Sequence, residues 1–138
     1  MSESELLDAH RQELRRGSVV LASLLALQKP GYGYGLLEEL ERAGMPVAGN
    51  TLYPLLRRLE SQGLLTSEWD TSEARPRKFY RTSHDGMRLA RALWREWRAI
   101  DAAVTRLDPD ATLTRLDSDA GVAALDPDAE GQHLWPPR

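Results

Sequence analysis

Glycine and proline punctuate the first two thirds of this chain so densely that only short elements fit between them. Gly17, Pro30, Gly44, Pro46, Gly63 and Pro76 leave intervals of about one to three helical turns, whereas Met87 to Leu107 contains neither residue. Short elements bury little area alone and must share one small core, and 138 residues suit one domain with an appendage. With 41% apolar residues and a single Phe, that core is built mostly from Leu, Ala and Val.

Within this punctuation the local patterns are readable. Glu3 to Arg16 reads as a short amphipathic helix, and Gly17-Ser18 as a break with Ser18 as a fresh N-cap. Val19 to Gln28 is apolar nearly all round, as a buried central helix is, and stops at Pro30. Pro30 to Gly35 reads as a turn-rich connector, and Leu36, Leu37 and Leu40 as one stripe of a short helix ended by Gly44. Asn50 or Thr51 then caps a helix with Leu52, Leu55, Leu56 and Leu59 at helical spacing, Pro54 lying in its tolerant first turn. After Gly63, residues 64–69 and 77–82 form two β-prone runs around a flexible tip, a hairpin in which alternation makes Phe79 the core anchor. Ser83 caps a long helix whose Ala90, Leu93, Trp97, Ile100, Val104 and Leu107 step by threes and fours. Such a seam in so small a domain is expected to pack on the same helix of a second copy.

Charge is unevenly spread. The chain carries a formal −3, yet through Leu107 there are 16 Lys and Arg against 14 Asp and Glu, and beyond it 2 against 7. The segment 108–138 repeats a Leu-Asp-x-Asp-Ala unit every nine residues and is expected to be a disordered acidic tail; its acids lack the spacing of a calcium loop. With no Cys and three scattered histidines, thiolate chemistry is excluded and no metal or cofactor is expected. The polar start and the absence of a long apolar run argue for a cytoplasmic protein with no membrane partner. No nucleophile-base pair or phosphate-cradling motif supports an enzyme; Gly31-Tyr-Gly-Tyr-Gly35 lacks the spacing of a dinucleotide loop.

The order helix, helix, turn, helix, hairpin, long helix is that of a winged helix-turn-helix. The expected fold is mainly α with a small β-hairpin wing: an arm at 1–16, a winged helix-turn-helix domain at 17–82, and a dimerisation helix at 83–107. Gly31-Tyr-Gly-Tyr-Gly35, Asn50-Thr-Leu-Tyr-Pro54, Gly63-Leu-Leu65, Pro76-Arg-Lys-Phe-Tyr80 and His84-Asp-Gly86 follow in order and at gaps that resemble the PadR family of bacterial transcriptional regulators, over roughly Leu14 to Leu107. Wings of that family often carry paired glycines at the tip, where this chain has Ser72-Glu-Ala-Arg75.

The resemblance implies a DNA-binding regulator, by default a repressor, acting as a homodimer on a palindromic operator. Recognition helices present their N-terminal residues to bases and phosphates, so Asn50, Thr51, Tyr53, Pro54 and Arg57 are candidate DNA contacts. Asn50 and Thr51 are equally suited to capping, and the two roles are compatible. Tyr34 is a candidate phosphate contact, and Arg75, Arg77, Lys78 and Arg81 form a wing cluster of four cations without an intervening acid. Trp94 and Trp97 fill the dimer core or, as in ligand-binding members of the family, stack on a planar aromatic small molecule. The alternative to DNA binding is a winged helix kept as a protein-interaction module.

Overall fold

A computed structural model describes residues 1–108, 110–113 and 115–116. The described residues divide into two compact units, residues 15–97 and a second formed by residues 1–14 with those described from 98 to 116. Most of the acidic tail expected at 108–138 lies outside the described residues, which include 108, 110–113 and 115–116 of it.

Helix α1, Glu3–Arg16, begins with a capping box, in which the Glu5 amide donates to Ser2 Oγ at 3.2 Å and the Ser2 amide to Glu5 Oε2 at 2.9 Å. Helix α2, Ser18–Ala26, follows directly. Gly17 holds its N-cap position and no side chain caps it, so Ser18 is the first helical residue and not the cap. Strand β1 is only Gly31–Tyr32, and α3, Gly33–Arg42, starts at once. Helix α4 is Gly49–Ser61, strands β2 and β3 are Leu65–Asp70 and Arg77–Thr82, and α5 runs His84–Arg106. Gly44 and Gly63 end α3 and α4 at φ +91° and +76°, a conformation only glycine adopts freely.

The core of the larger unit is leucine from every helix of the helix-turn-helix, with Leu24, Leu27, Leu36, Leu40, Leu52, Leu56 and Leu59 buried alongside Leu65, Tyr80 and Ala90. Each such leucine contributes about 1.5–3 kcal/mol of burial, so the apolar face of α4 fixes which of its residues point to solvent. Thr82 ties the sheet to α2, its amide bonding Leu27 O at 2.8 Å and its hydroxyl Leu24 O at 2.6 Å, carbonyls that a helix end leaves without partners.

The sheet is three-stranded and antiparallel in the order β1-β3-β2, with Gly31 opposite Tyr80, Tyr32 opposite Phe79, Leu65 opposite Thr82 and Ser67 opposite Tyr80. Two sequence expectations are corrected here. Gly31-Tyr32 is a strand rather than a connector; a two-residue strand shows no alternation, and its partner lies about fifty positions away. Tyr80, not Phe79, is the core anchor: buried Leu65 sets the inward face, and the register puts Ser67, Tyr80 and Thr82 on it. Phe79 takes the opposite face, edge-on to Tyr32 at 5.9 Å.

Candidate nucleic-acid interface

Leu52, Leu55, Leu56 and Leu59 seat α4 in the core and leave Asn50, Thr51, Pro54 and Arg57 exposed together. The start of this helix corrects the expected cap. Ala48 is the N-cap, its carbonyl accepting from both the Thr51 and Leu52 amides at 3.0 Å, and no side chain caps the end. Asn50 and Thr51 therefore lie in the first turn with side chains free of capping. Pro54 is correspondingly in the second turn, where it has no N–H to give to the Asn50 carbonyl.

Tyr53 packs where the two helices begin. Its ring lies between the starts of α3 and α4, so that a Cβ on Gly33 would meet Cε1 at 2.6 Å and one on Gly49 would meet Cε2 at 3.1 Å. The two glycines admit the ring, which is still 37% exposed. Tyr34 stands exposed on α3, beside a shallow groove formed with Leu37, Glu38, Glu41 and residues Pro46 to Ala48.

The wing differs from its sequence in its charge balance. Arg77 donates to Glu73 Oε1 at 3.1 Å and lies over the Tyr32 ring at 4.1 Å. Lys78 Nζ donates to Glu60 Oε1 at 2.7 Å, and the other carboxylate oxygen accepts from the Ser67 hydroxyl. Two of the four cations thus have carboxylate partners supplied by the fold, and the expected run without acids is partly neutralised. Arg75 and Arg81 are exposed and, with Arg57, form no ion pair among the described residues.

These contacts perturb the ionisable groups in consistent directions. Glu60 is held below the ordinary carboxylate range, first by Lys78 and then by Ser67, while Glu60 raises Lys78. Across the sheet, Tyr32 donates to Asp70 Oδ2 at 2.5 Å, and Ser72 donates to Asp70 Oδ1 through its hydroxyl at 2.6 Å and its amide at 3.0 Å. Asp70 is lowered to about 2, mainly by Ser72 and next by Tyr32, and its bond raises Tyr32.

On α5 the described residues change one expectation. Ala90 is wholly buried within its own protomer, so it cannot belong to an intermolecular seam; Leu93 also packs against that core. Trp94, Trp97, Ile100 and Val104 are exposed, and Leu107 lies just past the last residue of the helix. Among the described residues no three His, Asp or Glu converge as metal ligands, and no helix is long and apolar enough to cross a membrane.

The sequence profile of the transcriptional regulator PadR-like family matches residues 20–92, more than half the chain and the whole of the stretch from β1 to β3. The chain belongs to the PadR-like family. A transcriptional regulator of Mycobacterium tuberculosis is 41% identical over 76 residues, which are 54% of this chain and 71% of that protein. A PadR family regulator from Eggerthella lenta, solved by crystallography, is 46% identical with a TM-score of 0.72, over 75% of this chain and 92% of its own. A PadR-like transcription factor from Bacteroides fragilis is 30% identical at a TM-score of 0.60, over 72% of this chain and 98% of its own. The PadR-like chain is accordingly a winged-helix regulator of transcription and not one of a family of enzymes. Glu60, Ser67 and Asp70, which organise its wing, gave no signal in the sequence because each acts on a residue of another element, whereas Tyr32, readable either as a phosphate contact or as packing on the hairpin, lies against Asp70, Arg77 and Phe79 of the hairpin.

Proposed function

We propose that this chain is a sequence-specific repressor that binds a palindromic operator as a homodimer, with α4 in the major groove and the β2-β3 wing on the flanking backbone. The observation that supports this most is the exposed face of α4, where Asn50 and Thr51 of the first turn and, about two turns on, Arg57, which forms no ion pair among the described residues, stand clear of the core. Asn reads adenine and Arg reads guanine bidentately in the major groove, and Thr and Tyr hydroxyls suit phosphate. Tyr53 and Pro54 shape the approach, Tyr34 supplies a flanking hydroxyl, and Arg75 and Arg81 supply charge beside the duplex. Arg77 serves from its stacked position on Tyr32.

The exposed residues Trp97, Ile100 and Val104, with Leu93 and Leu107 at the ends of the same spacing, form the dimer seam. Pairing them places two copies of α4 on half-sites about 34 Å apart, one turn of DNA. Trp94 and Trp97 then flank a planar aromatic effector whose binding releases the operator. Binding of a labelled operator duplex tests the reading: Arg57→Ala weakens it at unchanged oligomeric state, and unchanged affinity removes α4 from the interface. Quenching of tryptophan fluorescence by planar aromatics, lost in Trp94→Ala, tests the effector; no quenching in the parent chain discards it.

A further inference from the structure

The carboxylate of Glu60 joins the helix read as the recognition helix to both strands of the wing. Glu60 stands one residue before the end of α4, and its oxygens are divided: one takes Lys78 of β3 at 2.7 Å, the other the hydroxyl of Ser67 on β2. Both side chains of the ion pair are about 70% covered, at 30% and 29% exposure, so the pair is not a loose surface contact. Lys78 is further confined by the Tyr80 ring, 5.3 Å from its ammonium, and Tyr80 itself is in the core. Trp69 is the cross-strand partner of Lys78 on the same face. Among the described residues Glu60 and Lys78 are the charged side chains in the contacts of this cluster.

We infer that Glu60 is a positioning residue for DNA binding: through Ser67 and Lys78 it sets the wing at a fixed angle to α4, and the Lys78 ammonium serves this clamp rather than a phosphate. The inference rests on the DNA-binding reading above and makes a counterintuitive prediction. Removing an acid from a DNA-binding surface ordinarily tightens binding by relieving repulsion of the duplex. Here Glu60→Gln weakens it, because the wing loses its angle and the flanking contact must be reordered at each binding event. Lys78→Ala weakens binding without removing a phosphate contact. The slope of log affinity against log salt then stays at its parental value, whereas loss of one phosphate contact lowers it by about 0.9.

Three measurements on the full chain decide it. With an operator duplex reaching under the wing, Glu60→Gln loses about five- to tenfold in affinity, in line with a partly covered charged hydrogen bond. On a duplex trimmed to the groove occupied by α4 it binds as the parent does, which a general loss of fold would not allow. The charge-swapped pair Glu60→Lys with Lys78→Glu restores most of the loss at unchanged net charge. Tighter binding by Glu60→Gln, equal loss on both duplexes, or a reduced salt slope in Lys78→Ala overturns the inference. If the parent chain binds no duplex, the DNA-binding reading falls by itself, and the clamp is decided without DNA. Trypsin then cuts after Arg77 faster in Glu60→Gln than in the parent if the clamp holds the wing, and at the same rate if it does not.

Discussion

Gly86→Ala is the substitution whose effect the packing determines most sharply. Gly86 lies in the first turn of α5, where alanine is the better helix former by about 1 kcal/mol, and propensity alone predicts stabilisation. The space forbids it: a Cβ there would stand 2.1 Å from the Leu64 carbonyl oxygen, 2.7 Å from Thr82 Cγ2 and 3.1 Å from the Leu64 carbonyl carbon. The carbonyl cannot swing aside cheaply, because it accepts the Ser83 amide at 3.0 Å, while Ser83 Oγ donates to Gly63 O at 2.7 Å and accepts from the Gly86 amide at 3.0 Å. The start of α5 must move by about 1 Å, straining a packed contact at about 1–3 kcal/mol and costing a hydrogen bond of about 1 kcal/mol. Net of propensity the loss is about 1–3 kcal/mol, or about 5–20 °C in Tm for a unit of this size. Thermal unfolding by circular dichroism at one fixed protein concentration measures it. Gly35→Ala in α3 is the control, since nothing lies within 4 Å of a Cβ there, and it is expected to stabilise by about 0.5–1 kcal/mol. A Gly86→Ala variant that melts at or above the parent refutes the reasoning.

Three further outcomes are expected. Ile100→Asp places a charge on the proposed seam and gives a folded monomer by light scattering with an unchanged circular dichroism spectrum; a persistent dimer would place the seam elsewhere. Asp70 has a folded pKa of about 2, below its usual value of 3.8, so its contribution to wing stability is fully present above pH 4 and is lost as pH falls from there through 2. Ser72→Ala should raise the Asp70 carboxyl titration seen by NMR more than Tyr32→Phe does, since Ser72 is the larger cause.

Much of this architecture is written in local pattern. The leucine spacing of α4 exposes one face whatever the rest of the chain does, Gly44 and Gly63 end helices because only glycine takes their backbone angles, and Ser83 caps α5 with its hydroxyl on the Gly86 amide. What escaped the sequence depends on partners distant along the chain. Strand β1 exists only against β3, and the choice between Phe79 and Tyr80 follows from a register set by Leu65. Ala90 has the spacing of the seam yet is wholly buried in the core of its own protomer, a placement that spacing along one helix does not reveal. Cations of the wing looked free because their acids, Glu60 and Glu73, stand outside the run that holds them. The first-turn residues of α4 looked like caps because Ser, Thr and Asn usually are; the N-cap is Ala48, two residues before Asn50, and no side chain caps the helix.

The claim that these elements together form a DNA-reading surface is tested most directly by fluorescence anisotropy of a labelled operator duplex, selected from bound genomic fragments, titrated with the full chain over a salt series. The expected result is tight binding that falls linearly on a log-log plot as salt rises, with a slope of about 0.9 for each phosphate neutralised, and a weaker affinity in Arg57→Ala. Absent binding, or binding indifferent to salt, would contradict it.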